Sequence, residues 1–161
     1  MASNAENAYE SVKSNVGLSN GTGDWFEVTQ DLINQFADVT LDHQFIHVDP
    51  ERAKAGPFGT TIAHGFLTLS LLVHLQSSLK GGDERPTPNF TGMVAGVNYG
   101  FEKIRFINPV KVNSRVRATS VTKDIELKGS AINQTNTITI EIEGEDKPAL
   151  VADWITRMVF A

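Results

Sequence analysis

Asp42 and His47 stand five residues apart in the run Asp42-His43-Gln44-Phe45-Ile46-His47. A carboxylate and an imidazole on one short segment can hold a water between them and take a proton from it. Eleven residues after Pro50, the cluster Thr61-Ile62-Ala63-His64-Gly65 opens the most apolar helix candidate in the chain. A glycine amide at the start of that helix can donate to an oxyanion, with no side chain to block close approach of the group that carries it. A water activator and an oxyanion donor are the parts of a site that adds water across a polarised double bond. If Phe45, Ile46 and Phe58 enclose Asp42, its carboxylate is expected to lose solvent and become more basic.

Each of these residues also has a structural reading. Asp42 can cap a turn, His47 can be a partly buried structural histidine, and His64 can bond across the turn that precedes the helix. His43 and His47 are four apart, a metal-ligand spacing on a helix, but they fall on an expected loop without a third ligand, so no metal site is expected. His74 and Ser70, on the apolar helix, read as satisfied core polar groups. Gly21-x-Gly23 lacks the preceding strand of a nucleotide loop. Asn98 and Tyr99 are candidate pocket-lining residues that packing explains equally well.

The elements that must position these groups follow from periodicity. Residues 1–23 are polar and end in Ser19-Asn20-Gly21-Thr22-Gly23, so they read as a loosely attached lead-in with at most a short helix. A single domain is expected over 24–161. Thr29 is placed to cap a helix with Leu32, Ile33, Phe36 and Ala37 on one face. Asp49-Pro50 starts a short second helix, with proline at its first position. Ile62 to about Leu79 reads as one helix, apolar almost all round and therefore buried on most sides. Gly81-Gly82, Pro86 and Pro88 read as a flexible connection.

Beyond that the period changes to two. Val97, Tyr99 and Phe101 alternate, and Ile104 and Phe106 continue on the other parity, which places a bulge between Gly100 and Lys103. Ser114–Leu127, Ile132–Ile142 and Leu150–Phe160 read as further antiparallel strands. In the middle one, isoleucines occupy one face and Thr and Glu the other. A buried helix followed by long antiparallel strands packs as an α+β domain with the sheet wrapped around the helix.

Composition excludes several functions. A net charge of −5 offers no electrostatic ground for nucleic acid or an anionic membrane as partner. The chain has no cysteine, so thiol catalysis and disulfides are out. The apolar stretch Phe66–Leu75 is too short to span a bilayer, and with neither a basic start nor an apolar run in Met1–Glu6 no secretory signal is expected. A cytoplasmic protein is expected.

Asp42-x4-His47 with Val48-Asp49-Pro50, followed by Ile62-Ala63-His64-Gly65, resembles the hydratase motif of MaoC-like proteins, the (R)-specific enoyl-CoA hydratases of the hotdog superfamily. Asn98-Tyr99-Gly100 and Arg105-Phe106 before Asn108-Pro109-Val110 are similar to the nodulation protein N-like branch. The resemblance spans roughly Trp25 to Phe160 and departs from the commoner form in two places. Gln44 and Phe45 stand where Asn and Pro are usual, which reads as a marker of that branch. Val73 stands where some members carry a serine.

The resemblance implies a hotdog fold, catalysis by Asp42 and His47, and a substrate and oxyanion site drawn from Gly65, His64, Phe58 and Tyr99. It also implies an acyl-CoA substrate hydrated to an (R)-3-hydroxyacyl-CoA, no cofactor and no metal, and a homodimer. Two alternatives stay open: a hotdog acyl-CoA thioesterase and a non-catalytic acyl-thioester binder. Thioesterases of this superfamily usually carry their carboxylate on or near the central helix, and this chain has no acidic residue between Ile62 and Leu79.

Overall fold

The computed structural model describes residues 2–161. Four long strands, β3 (Met93–Phe106), β4 (Arg115–Lys128), β5 (Ala131–Ile142) and β6 (Leu150–Phe160), form the body of an antiparallel sheet. With the short β1 (Ser19–Thr22) its order is β1-β4-β5-β6-β3, and β2 (Phe26–Glu27) also pairs with β4. The sheet curls around a helical layer, the hotdog arrangement. Its buried face carries Val116 and Ala118 of β4, Ile138 and Ile140 of β5, and Leu150 and Ala152 of β6, all fully buried against Leu67, Leu72 and Leu75. Each such isoleucine or leucine contributes on the order of 2 kcal/mol through burial.

The expected bulge is present: the β3–β6 register shifts at Asn98/Gly100 and again at Phe101/Lys103. The second shift lets both Phe101 and Ile104 reach the core despite their odd spacing. β4 carries a bulge of its own at Thr122/Asp124.

α2 (Gln30–Thr40) begins where expected, with Thr29 Oγ1 accepting from the Leu32 N–H at 3.2 Å. A four-residue helical turn, α3 (Phe45–Val48), precedes α4 (Pro50–Lys54), which Asp49 caps by accepting from the Arg52 N–H at 3.0 Å.

Four expectations are corrected. The helix predicted over 62–79 is two shorter ones, α5 (Gly65–Ser70) and α6 (Leu72–Gln76). Ile62 and Ala63 are extended instead, their N–H groups donating to Ile46 O (2.9 Å) and Val110 O (2.7 Å). At the break, Ser70 Oγ donates back to Phe66 O at 2.7 Å, the kind of bond that competes with the helical ladder and bends it.

Nor is this helical layer buried on most sides. Phe66 and Val73 are 70% and 66% exposed, and Ser70 and His74 lie outside the core, because the sheet covers only one face. Finally, the expected lead-in is not loosely attached over residues 4–22. α1 (Asn4–Val12) has a full capping box between Ser3 and Glu6 and buries Ala5, Ala8 and Val12 on Ile125, Ile132 and Phe160. The connection after α6 is clasped as well: Lys80 exchanges backbone bonds with Thr22, and Asp83 N–H reaches Ser19 O at 3.0 Å.

These two apolar clusters are separated by a polar seam on the same face of the sheet. Asn20 Nδ2 donates to Ser120 Oγ (2.8 Å) and its Oδ1 accepts from Arg85 (2.6 Å), while Gln134 and Asn136 continue the seam along β5.

Candidate active site

α2 ends at Leu41 in the left-handed region (φ 63°), and this turn delivers Asp42 immediately afterwards. α3 then places His47 with only 7% of its surface exposed. His47 Nδ1 is 2.7 Å from the carbonyl oxygen of Ile62. A carbonyl only accepts, so neutral His47 carries its proton on Nδ1 and keeps a lone pair on Nε2. Gln30 Nε2 donates to the His47 carbonyl (2.7 Å), and Gln30 Oε1 accepts from the buried Thr61 hydroxyl (2.5 Å). His47 is thus held from both its ring and its backbone. Burial pushes its pKa below the usual 6.5 and His64 adds to that, while the Ile62 carbonyl and Asp42 oppose it. Its neutral form prevails at pH 7.

Asp42 departs from expectation. Its side chain is 56% exposed, so Phe45, Ile46 and Phe58 do not enclose it in the single chain. Phe45 instead packs under Arg52, whose guanidinium lies 4.3 Å from the ring centre. His64 is buried behind the pair, 3% exposed, and its Nε2 donates to the Asp42 carbonyl oxygen at 2.9 Å. Its ring stacks on His47 with centroids 3.8 Å apart and planes at 23°.

One oxygen of Asp42 and one ring nitrogen each of His47 and His64 lie within 4.8 Å of one another. The set does not suit a metal. The two rings lie nearly parallel, so their in-plane lone pairs do not converge on one ion. His43 lies apart, paired with Asp38 at 2.8 Å.

His47, Phe58 and Gly65 line one largely apolar cavity of about 280 Å³. Ile62, Ala63, Thr68, Phe106, Val110 and Ala149 are also part of its wall. Gly65 opens α5, so no helical carbonyl can accept its N–H. The closest approach to Gly65 is made by a ring: a Cβ added there would sit 3.2 Å from Phe106. Tyr99 is not part of this wall; it lies half-exposed on β3 under Arg157, 3.8 Å from the ring centre. Asn98 accepts from Trp154 Nε1 at 2.7 Å beside a separate small hollow. Sequence reasoning missed Gln30, Thr61, Thr68 and Phe106. Only Phe106 had a signal, as a large aromatic next to the Asn108-Pro109 break.

The domain described as "MaoC like domain" matches residues 12–143. The chain is 51% identical to "3-hydroxyacyl-thioester dehydratase Z" of Mycobacterium tuberculosis over 140 residues, covering 86% of this chain and 87% of that protein. It is 48% identical to "Nodulation protein N" of Rhizobium meliloti over 151 residues, covering 92% and 89%. Among solved structures, a monoamine oxidase regulatory protein from Archaeoglobus fulgius superposes with a TM-score of 0.71 at 22% identity, covering 91% of each chain. An (R)-hydratase from A. caviae superposes with a TM-score of 0.66, also at 22% identity, covering 88% of this chain and 94% of that one. These two establish the fold, and the domain match and the sequence identities establish the lineage: the chain belongs to the MaoC-like dehydratase family.

Proposed function

We propose that this protein hydrates trans-2-enoyl-CoA to (R)-3-hydroxyacyl-CoA, and catalyses the reverse dehydration, through Asp42, His47 and Gly65. The observation that carries the reading is the bare Nε2 of His47 on a cavity wall shared with the Gly65 amide, with the Asp42 carboxylate beside it. A water between two acceptors donates one hydrogen to His47 Nε2 and the other to Asp42, which leaves an oxygen lone pair free for attack. That oxygen bonds to Cβ of the enoyl group, and the π pair moves through Cα onto the thioester oxygen. The Gly65 N–H binds the resulting enolate. The proton taken from water then goes to Cα, so one water is added and the acid–base pair is regenerated. The dehydratase named among the relatives supports a thioester substrate and this class of reaction.

The reading includes a homodimer. β3 is an edge strand of 14 residues with Val94, Val97 and Tyr99 exposed, next to the uncovered Phe66 and Val73. A long open apolar edge of this kind invites pairing with a second copy. Light scattering is expected to give twice the chain mass, and Val97→Lys to shift it toward one.

Activity is tested by loss of enoyl-thioester absorbance with crotonyl-CoA and longer 2-enoyl-CoAs. Asp42→Asn and His47→Gln are each expected to lower the rate by roughly 10² or more with the fold retained. Release of free thiol from saturated acyl-CoA, with no hydration, would replace this reading with a thioesterase.

A further inference from the structure

The segment Ile62-Ala63-His64 touches every part of the proposed machinery: Ile62 and Ala63 line the cavity with Gly65 after them and His47 opposite, while His64 lies behind its wall. Its Ile62 carbonyl accepts from His47 Nδ1 (2.7 Å) and thereby fixes the tautomer. Its His64 ring lies flat against His47 (3.8 Å between centroids) and donates from Nε2 to the Asp42 carbonyl (2.9 Å). The segment itself is anchored to two other parts of the chain, by Ile62 N–H to Ile46 O (2.9 Å) and Ala63 N–H to Val110 O (2.7 Å).

We infer that His64 is a positioning residue that sets the spacing of Asp42 and His47, with its Nε2–H as the working contact. Asp42 has few other restraints. It follows a helix end, its side chain is more than half exposed, and among the described residues its carboxylate accepts only a long bond from the Gln44 N–H at 3.4 Å. The chain ahead of it rests on Leu41, a non-glycine residue in the left-handed region. What holds the Asp42 backbone against the buried His47 is the His64 bond. A bond from an imidazole nitrogen to a backbone carbonyl places no charge near the water; it acts only through geometry. His64 Nδ1 is buried and unpartnered among the described residues, so the ring is not oriented by a bond at its other end.

This inference rests on the hydratase reading, and its test is built to fail separately from it. His64→Gln keeps an N–H donor near the Nε2 position and loses the ring. His64→Phe keeps a ring for stacking and loses the donor. With wild-type activity in hand, His64→Phe is expected to lower kcat by about 10- to 100-fold with KM changed less than about 3-fold, as for misplacement of a reacting group. His64→Gln is expected to stay within about 5-fold of wild type, a rescue that a core-filling role does not provide.

Turnover is not needed for the second readout. The backbone ¹⁵N shift of His43, whose amide bond contains the Asp42 carbonyl, is expected to move in His64→Phe and to remain near wild type in His64→Gln. Wild-type kcat in a folded His64→Phe, or equal losses in the two variants, would overturn the positioning role. A wild-type protein without hydratase activity would overturn the functional reading and leave the His43 shift to decide the contact.

Discussion

Gly65→Ala separates the geometry of the site from the stability of the fold. The added Cβ would lie 3.2 Å from both Cδ1 and Cε1 of Phe106 and 3.5 Å from Cγ. Carbon atoms pack best at about 3.5–4.0 Å, so the ring must retreat by a few tenths of an ångström. Phe106 is half-exposed and meets Phe66 only edge-on at 6.3 Å, so the retreat is cheap. Gly65 has no positive φ, and alanine is favoured over glycine in a helix by up to about 1 kcal/mol. Net stability is therefore expected to change by less than about 1 kcal/mol, read by urea unfolding.

Activity is expected to respond quite differently. The methyl and the displaced ring crowd the wall where the proposed oxyanion donor faces the cavity, and small misplacements there are costly. We expect kcat/KM for 2-enoyl-CoA to fall by roughly 10- to 100-fold, on the scale of a displaced oxyanion donor. Adding Phe106→Leu should recover part of the loss, because the crowding runs through the ring. A Gly65→Ala enzyme within about 3-fold of wild type would refute the assignment of this amide.

Four further outcomes are expected. Because burial holds the His47 pKa below 6.5 and catalysis needs its bare Nε2, kcat/KM should be flat near pH 7 and fall as pH drops through a midpoint below 6.5. The same depressed pKa makes the unfolded chain bind more protons in that range, so stability contributed by His47 is present above pH 6.5 and is lost on acidification; an acid limb centred above 6.5 would contradict both statements. Gln30→Leu strips the 2.7 Å bond from the His47 carbonyl and leaves the buried Thr61 hydroxyl without its acceptor, costing about 1–3 kcal/mol in urea unfolding, part of which Thr61→Val should return. Ala8→Asp forces a carboxylate into the fully buried face of α1 and should lower stability by several kcal/mol, with kcat of the folded enzyme unchanged because that face packs on the far apolar cluster.

Most of the strand plan was legible, because alternation along Ile132–Ile142 and the parity change in β3 report directly which side chains face the core. The Asp42, His47 and Gly65 constellation was legible too, since its members lie within 24 residues and type and spacing carry the signal. Gln30 gave no such sign: a glutamine at a helix start looks solvent-facing until the fold brings the His47 carbonyl to it. The helix break was hidden because Ser70 bonds its own backbone, a choice that composition does not reveal. The loose lead-in was misread for a related reason. α1 buries two alanines and a valine, small side chains that leave little periodic signal yet fit flat against the sheet. Enclosure of Asp42 was inferred from apolar neighbours in sequence, but its side chain stays more than half exposed, with Phe45 under Arg52 and Phe58 on the cavity wall.

β1 reads Ser19-Asn20-Gly21-Thr22 and has no apolar side chain to tell its two faces apart. Strand register is ordinarily specified by such a difference, and a polar strand is free to slip. Here the specification passes to the polar seam. Asn20 is the extra residue of a bulge, between the Ser19–Val121 and Gly21–Ser120 pairs, and its amide is matched at both ends, to Ser120 and to Arg85. Gly21 (φ +98°) closes the fit, since a Cβ there would run into the Lys80 carbonyl. A slip of one residue would put a serine or a glycine where that amide is required. Hydrogen bonding that adds little net stability therefore supplies uniqueness, and with it the alignment of the whole N-terminal segment against the sheet.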